Sequence, residues 1–334
     1  MATMTSDLNG SPIFIDATKL RSALPYKSLI NHLQTSLSTA TSVIQSPIRH
    51  SHQTSSSSSN LLLMPAWSIS STALPYIGVK LVTTHPDNSA LNLPGVHASY
   101  VLFNSVTGQT LASMDGTELT VRRTACVSAL ASHYLSNINS KYLLLIGAGS
   151  LSPHLIRAHL VTRPSIDHVM IWNRTVRKSN NIVEEFRKES GMEGIQFDVC
   201  EDLERAVGIA DVVSCATNSE TPLVLGKWLK EGAHLDLVGS FKPSMRECDD
   251  EAVKRGRVFV DNDAAMVEAG ELVGAFERGV MKKDEIQGDL VQLIKGDKIG
   301  RKNEKEITLF VSVGSAVVDL LSAQLAYETV TLKT

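Results

Sequence analysis

Residues 142–152 read YLLLIGAGSLS, and the chain continues as PHLIRAHL. A short apolar run that turns at Gly147-Ala148-Gly149 and opens straight into a helix leaves few folds available. Gly147 can make the tight turn. Gly149 lacks a Cβ, so backbone N–H groups can approach a pyrophosphate at the helix N-terminus. The third position of this G-x-G-x-x-S pattern is Ser152, still small enough for close helix–strand packing. Pro153 falls in the first helical turn, where its missing N–H costs little. With a strand before it and a βαβ unit after it, the pattern reads as a dinucleotide-binding turn.

The surrounding sequence supports that reading. Helix 151–161, strand HVMIWNR, helix 176–189, strand IQFDVC, a short helix at 202–207 and strands DVVSCAT, HLDLVGS and VFVDND follow in turn. Short apolar runs separated by helices predict a parallel sheet covered on both faces. The second strand ends in Asn173-Arg174-Thr175, where an Asp or Glu would hold the ribose 2′-hydroxyl of NAD. Arg174 lies 27 positions after Gly147, near the ~20-residue offset of the ribose-reading side chain. An arginine suits a 2′-phosphate through charge-assisted hydrogen bonds. Arg177 and Lys178 add positive charge, so the expected cofactor is NADPH.

The first third has a different character. Residues 18–45 carry Leu20, Leu24, Ile30, Leu33 and Leu37 at helical spacing. Segments 48–52 and 61–64 predict a hairpin with the serine run 55–59 as its tip, and 76–86 and 98–116 predict further strands. The result is a largely antiparallel sheet. ELTVRRTACVSALASHYL (118–135) is helical in period, with Thr120 as the expected N-cap. That start would put Arg122, Arg123 and Thr124 in the first turn, where cations oppose the helix dipole unless they face an anion. The last strand and helix, ITLFVSVGSAVVDLLSAQLAYETV, lie past the linker GDKIGRKNEKE and are expected to return to the N-terminal domain.

The fold class expected is therefore α/β: a central Rossmann-type doubly wound parallel sheet over 126–305, plus a second α/β domain with a largely antiparallel sheet. That second domain takes 1–125 and 306–334, and would serve substrate binding and dimerisation.

Composition excludes several classes. The 334 residues carry a formal net charge of -3, which gives no electrostatic case for a nucleic acid or an anionic membrane. No apolar run approaches the ~20 residues needed to span a bilayer. Cys126, Cys200, Cys215 and Cys248 are far apart and form no CxxC, so reduced thiols are expected rather than a metal site. The N-terminal stretch shows no signal-peptide core and is too poor in arginine to read as a clear transit peptide.

Taken in order, PIRHSH, LLLMPAW, GVKLVTTHP, TGQTLASMDGTELTVRRTA, LLLIGAGSLSPHL, WNRT, ADVVSCATNSETPL, HLDLVGSFKPSMRECD and ITLFVSVGSAVVDLL resemble the ornithine cyclodeaminase/mu-crystallin family over nearly the whole chain. Within it the chain looks most like the plant ketimine reductases of the pipecolate pathway. The resemblance implies that Arg49, Lys80 and Arg123 surround a substrate carboxylate and the reacting nitrogen. Lys80 is then the candidate proton source, with His97 as the other candidate. It also implies a cofactor set of Gly147, Gly149, Ser150, Leu151, Asn173, Arg174, Thr175 and Arg177, together with Thr124, Ala216, Thr217, Val238 and Ser240.

Two departures matter. Cyclodeaminases carry an acid in V-G-G-D or V-G-A-D, and here the motif is Val238-Gly239-Ser240-Phe241. An apolar ring cannot accept a proton, which favours a reductase acting on an already formed imine. Val311 stands where F-K-S-V-G members have a lysine near the cofactor. The implied activity is NADPH-dependent reduction of a cyclic imine carboxylate, 1-piperideine-2-carboxylate to pipecolate or 1-pyrroline-2-carboxylate to proline. The alternatives are ornithine cyclodeaminase, a non-catalytic NADPH- and ligand-binding protein and, more distantly, alanine dehydrogenase. A homodimer in the plastid stroma, or in the cytoplasm, is expected by resemblance alone.

Overall fold

Period-two burial builds the first of two sheets in the computed structural model, which describes residues 11–40, 42–54, 59–70, 74–91 and 93–332. Contacts divide the chain into two units. One comprises Met1–Pro25, Thr35–Arg123 and Ala316–Thr334; the other comprises Tyr26–Gln34 and Thr124–Ser315.

The first unit contains β1 (Ile13–Ile15), β2 (Ile44–Gln45), β3 (His50–Gln53), β4 (Asn60–Ser68), β5 (Tyr76–Thr84), β6 (Val96–Asn104) and β7 (Thr110–Asp115). They pair in the order β1-β7-β6-β5-β4-β2, with β3 also on β4. All pairs are antiparallel except β1 with β7. In β5, Tyr76, Gly78, Lys80 and Val82 are buried, while Ile77, Val79 and Leu81 face the other way. The buried face packs on the final helix, Ala316–Thr331, which is apolar on every side save a few positions. The hairpin expected around the serine run is present as β3 on β4. Residues 55–58 of its tip lie outside the described residues.

The second unit contains β8 (Tyr142–Ile146), β9 (His168–Trp172), β10 (Gln196–Val199), β11 (Val212–Cys215), β12 (His234–Leu237), β13 (Arg257–Val260), β14 (Gly288–Asp289) and β15 (Thr308–Val311). All run parallel, in the order β10-β9-β8-β11-β12-β15-β13-β14. Strand order reverses beside β8, so the dinucleotide crevice of a doubly wound sheet lies at its carboxyl end. The apolar core includes Leu144, Ile146, Val213, Leu235, Val260, Leu309 and Val311. Among the described residues no helix is long and apolar enough to cross a membrane.

Three expectations need correction. The helix read over 18–45 is two helices, Ala17–Ala23 and Tyr26–Ala40, because Pro25 brings no N–H and Leu24 before it leaves the helical region. The helix read from 118 begins at Gly116. Its cap is Asp115, whose Oδ1 accepts the Glu118 N–H at 2.9 Å, while Thr120 lies inside the helix with its hydroxyl on the Gly116 carbonyl. Arg122 and Arg123 therefore lie past the first turn, and the dipole argument for an anion there lapses. Finally, 306–315 does not return to the first unit. Thr308–Val311 is inserted between β12 and β13, because a four-residue run of buried apolar side chains fits an interior parallel strand. Only the segment from Ala316 returns.

Candidate active site and cofactor cradle

Lys80 occupies an inward position of β5, opposite Tyr100 of β6. It is 2% exposed. Its Nζ lies 2.7 Å from Oδ2 of Asp319, and the Nε of Arg123 lies 2.8 Å from Oδ1 of the same carboxylate. Asp319 comes from the final helix and is 0% exposed. Both contacts are buried ion pairs at hydrogen-bonding distance, so charge attraction holds the cluster. Because Arg123 pairs through Nε, its two terminal amines have no protein acceptor among the described residues. Gly78 makes room for the neighbouring ring: a Cβ there would lie 2.0 Å from the Tyr100 hydroxyl.

Burial and the Arg123 charge bring Lys80 down to about 8. Asp319 resists that fall, and Arg49 adds to it. Burial alone would raise the Asp319 carboxyl, but Arg123 and Lys80 outweigh it and hold it below the usual carboxylate range. Burial and the Asp319 charge both push the Tyr100 phenol well up. Arg49 is half-buried just ahead of β3, and its charge is felt at Lys80. The cluster thus sets Lys80 and Arg123 against one carboxylate. Removing ions from water is expensive unless they are paired, so such an excess of positive charge favours an incoming anion.

His97 does not join this cluster. It is three residues from Tyr100 on β6, hence on the opposite face of the sheet, and it is exposed. Arg122 is structural: its Nε lies 2.7 Å from Glu118 and its Nη1 donates to the Leu24 carbonyl. Sequence reasoning missed Asp319. The signal was a lone acid in the apolar run AVVDLLSAQLAY.

The second unit supplies a cradle after β8. Gly147 has φ +111, and a Cβ there would lie 2.5 Å from the Ala216 carbonyl oxygen. Ser152 ties the turn: its hydroxyl donates to the Gly147 carbonyl at 3.0 Å and accepts the Gly149 N–H at 3.1 Å. Asn173 holds the same turn from β9, accepting the Ala148 N–H at 3.2 Å and donating to the Thr175 carbonyl at 3.0 Å. The Ser150 and Leu151 N–H groups have no protein acceptor among the described residues. The space above Gly149 is open, so two N–H groups and a cleared approach fit a phosphate. Replacing Ser152 with alanine is expected to lower stability by about 1 kcal/mol and to weaken cofactor binding, as checked by urea unfolding and nucleotide titration.

Arg174, Thr175, Arg177 and Lys178 are all exposed around the start of the helix Val176–Lys188. None of the three cations pairs with an acid among the described residues. Three cations at a helix N-terminus are unfavourable alone, and a 2′-phosphate would offset that cost. Thr124, Val238 and Ser240 are buried. The Ser240 hydroxyl donates to the Met245 carbonyl, and the Thr217 N–H and hydroxyl are both taken by Glu247. The Ala216 N–H continues the sheet to Ile146. Phe241 is 36% exposed, with the Lys242 ammonium 5.9 Å from its ring centre. Val311 is buried in the core of the parallel sheet, where it packs as an apolar residue. All four cysteines are unpaired, three of them buried.

A parallel sheet with a glycine cradle in one unit, and a buried cation cluster in the other, define a nucleotide-binding family with an anion site. Residues 12–334 match the model of the ornithine cyclodeaminase/mu-crystallin family, and the chain belongs to it. It is 55% identical over 318 residues to Protein SAR DEFICIENT 4 of Arabidopsis thaliana, covering 95% of this chain and 97% of that protein. Among solved structures it is similar to Thermococcus litoralis Delta(1)-pyrroline-2-carboxylate reductase in complex with NADH and L-proline. That likeness has a TM-score of 0.90 and 30% identity, over 96% of this chain and 98% of that one. It is also similar to an archaeal alanine dehydrogenase dimer with bound NAD, with a TM-score of 0.87 and 27% identity over 96% and 97%.

Proposed function

We propose that this chain is an NADPH-dependent ketimine reductase. It reduces the C=N bond of a cyclic imine carboxylate, 1-piperideine-2-carboxylate to pipecolate, with the five-membered 1-pyrroline-2-carboxylate as the second candidate. The observation that carries the reading is the excess of cations around Asp319. The terminal amines of Arg123 offer a planar fork to the substrate carboxylate, and Arg49 adds a second positive charge. Lys80, with its ammonium titrating at about 8, gives a proton to the imine nitrogen and so makes the imine carbon a better acceptor. NADPH, when bound, supplies the hydride. The nitrogen gains the lysine proton, the carbon gains the hydride, and Lys80 is reprotonated from solvent.

Supporting NADPH over NADH are Arg174, Arg177 and Lys178, none of them paired with an acid among the described residues, although the Thermococcus relative was solved with NADH. Phe241 at the cyclodeaminase acid position speaks against release of ammonia from ornithine. A homodimer fits the outward face of the antiparallel sheet. There Leu63, Pro65, Trp67, Val79, Leu81 and Val101 form an apolar surface that is only partly buried. The plastid stroma is the compartment that the likeness to plant enzymes implies.

The test is steady-state NADPH oxidation with the two imines side by side. Saturable turnover is expected with at least one of them, and none with ornithine. Proline and ammonia appearing from ornithine at comparable rates would make the chain a lyase. Saturable NADPH binding with no oxidation by either imine would favour a binding protein.

A further inference from the structure

The second unit holds a buried pair of acids that the reading above leaves without a task. Glu247 is 0% and Glu271 1% exposed. Oε1 of Glu247 accepts the Thr217 N–H at 2.6 Å and the Thr217 hydroxyl at 2.8 Å, and Oε2 accepts the Gly239 N–H at 2.8 Å. One carboxyl thereby joins the residue two past the end of β11 to the residue two past the end of β12. Glu271 stands behind it, its Oε1 accepting the Glu247 N–H at 2.6 Å. The two loops are in direct contact, since a Cβ on Gly239 would lie 2.1 Å from the Thr217 carbonyl oxygen. The second loop is pinned again at Ser240, whose hydroxyl donates to the Met245 carbonyl at 2.8 Å and accepts the Gly270 N–H at 3.0 Å.

The residue type matters as much as the position. Burial and the Glu271 charge push Glu247 up to about 8, against the pull of its own three donors. The protonated carboxyl still serves all three groups. Each N–H keeps an oxygen, and the Thr217 hydroxyl turns to accept the carboxyl proton. A glutamine cannot do this, because its NH2 would face one of the two N–H groups.

The strand order places these loops. The glycine turn after β8 and the cations after β9 lie on one side of the switch point, and the loops after β11 and β12 lie on the other. A dinucleotide crossing the carboxyl ends of the strands presents its two halves to the two sides. We propose that Glu247, backed by Glu271, is a positioning residue for the cofactor, tying loops 216–219 and 238–241 into one rigid floor for the nicotinamide half. This rests on the dinucleotide reading above and extends it to residues outside the cradle.

The experiment compares the full-length wild type with Glu247→Gln and Thr217→Val. It measures NADPH dissociation by nucleotide fluorescence, hydrogen exchange at the 217 and 239 amides, and separate Michaelis constants for NADPH and imine. Glu247→Gln is expected to raise the NADPH Kd and KM about tenfold, the consequence of leaving one buried N–H without an acceptor. Exchange at 217 and 239 should accelerate, while the imine KM at saturating NADPH stays within about twofold, a split that general loss of structure would not produce. Should Glu247→Gln fail to fold, Thr217→Val replaces the hydroxyl with a methyl, losing its bonds to Glu247 and the Ser219 N–H, and is expected to shift the NADPH Kd about threefold in the same direction. Faster exchange with an unchanged Kd overturns the proposal, and so does unchanged exchange. Those outcomes refute the brace alone. A wild type that binds neither NADPH nor NADH would remove the dinucleotide reading, and the proposal with it.

Discussion

Asp319→Asn is expected to lower kcat/KM for the imine by about 10²–10³-fold, within the roughly 10²–10⁴-fold that a positioned general acid contributes. The substitution keeps the shape and deletes the charge. Lys80, only 2% exposed, is then left with the Arg123 and Arg49 charges and no acid paired with it among the described residues. Its ammonium already titrates at about 8 because burial and Arg123 outweigh Asp319. Without Asp319 it falls further, and the protonated fraction at neutral pH falls with it. The sign follows from the acid's role. Wild-type kcat/KM stays level below about pH 8 and declines above it as Lys80 loses its proton. In the variant that alkaline limb moves to lower pH. Breaking a buried pair typically costs about 3–5 kcal/mol of stability, and here Lys80 limits the loss by shedding its proton. A pH–rate profile with its limb unmoved and a rate within about threefold of wild type would show that Asp319 does not govern Lys80.

Arg174→Ala is expected to raise the NADPH KM by about 10–100-fold and the NADH KM by less than about threefold, since a charge-assisted hydrogen bond is worth ~1.5–3 kcal/mol and each 1.4 kcal/mol is tenfold. The mechanism is local. Arg174 is exposed, has no acid partner among the described residues, and follows β9, the strand next to the glycine turn. Its removal therefore costs little elsewhere, and the cofactor carrying the extra phosphate alone should notice. Part of the selectivity should remain, because Arg177 and Lys178 lie on the next turn. Equal effects on the two cofactors would assign the 2′-position to some other group.

These two residues differ in how far they could be read beforehand. Arg174 is legible because it is local: strand, turn and helix lie within one βαβ unit, and its distance from Gly147 is a property of that unit. Lys80 is half legible. Alternation along YIGVKLVTT places it with Tyr76, Gly78 and Val82 on the inward face, where a lysine demands a partner. Its partner Asp319 sits near the other end of the chain, and no spacing rule links the two. Glu247 was less legible still. Two of its three donors are main-chain N–H groups, of Thr217 and Gly239, which every residue but proline possesses.

The same contrast runs through the fold. Local chemistry along the chain was enough to define the glycine turn, the alternation of parallel strands and helices, and the hairpin of β3 on β4, because each depends on neighbours close along the chain. It misjudged the start of the Gly116–Leu135 helix, where Asp115 rather than Thr120 makes the cap. It also misjudged the home of Thr308–Val311, which fits equally well into either sheet by composition. Long-range packing settled those points and assembled the Lys80–Asp319–Arg123 cluster, since burial of charge is decided by which distant groups meet and not by the order in which they are joined.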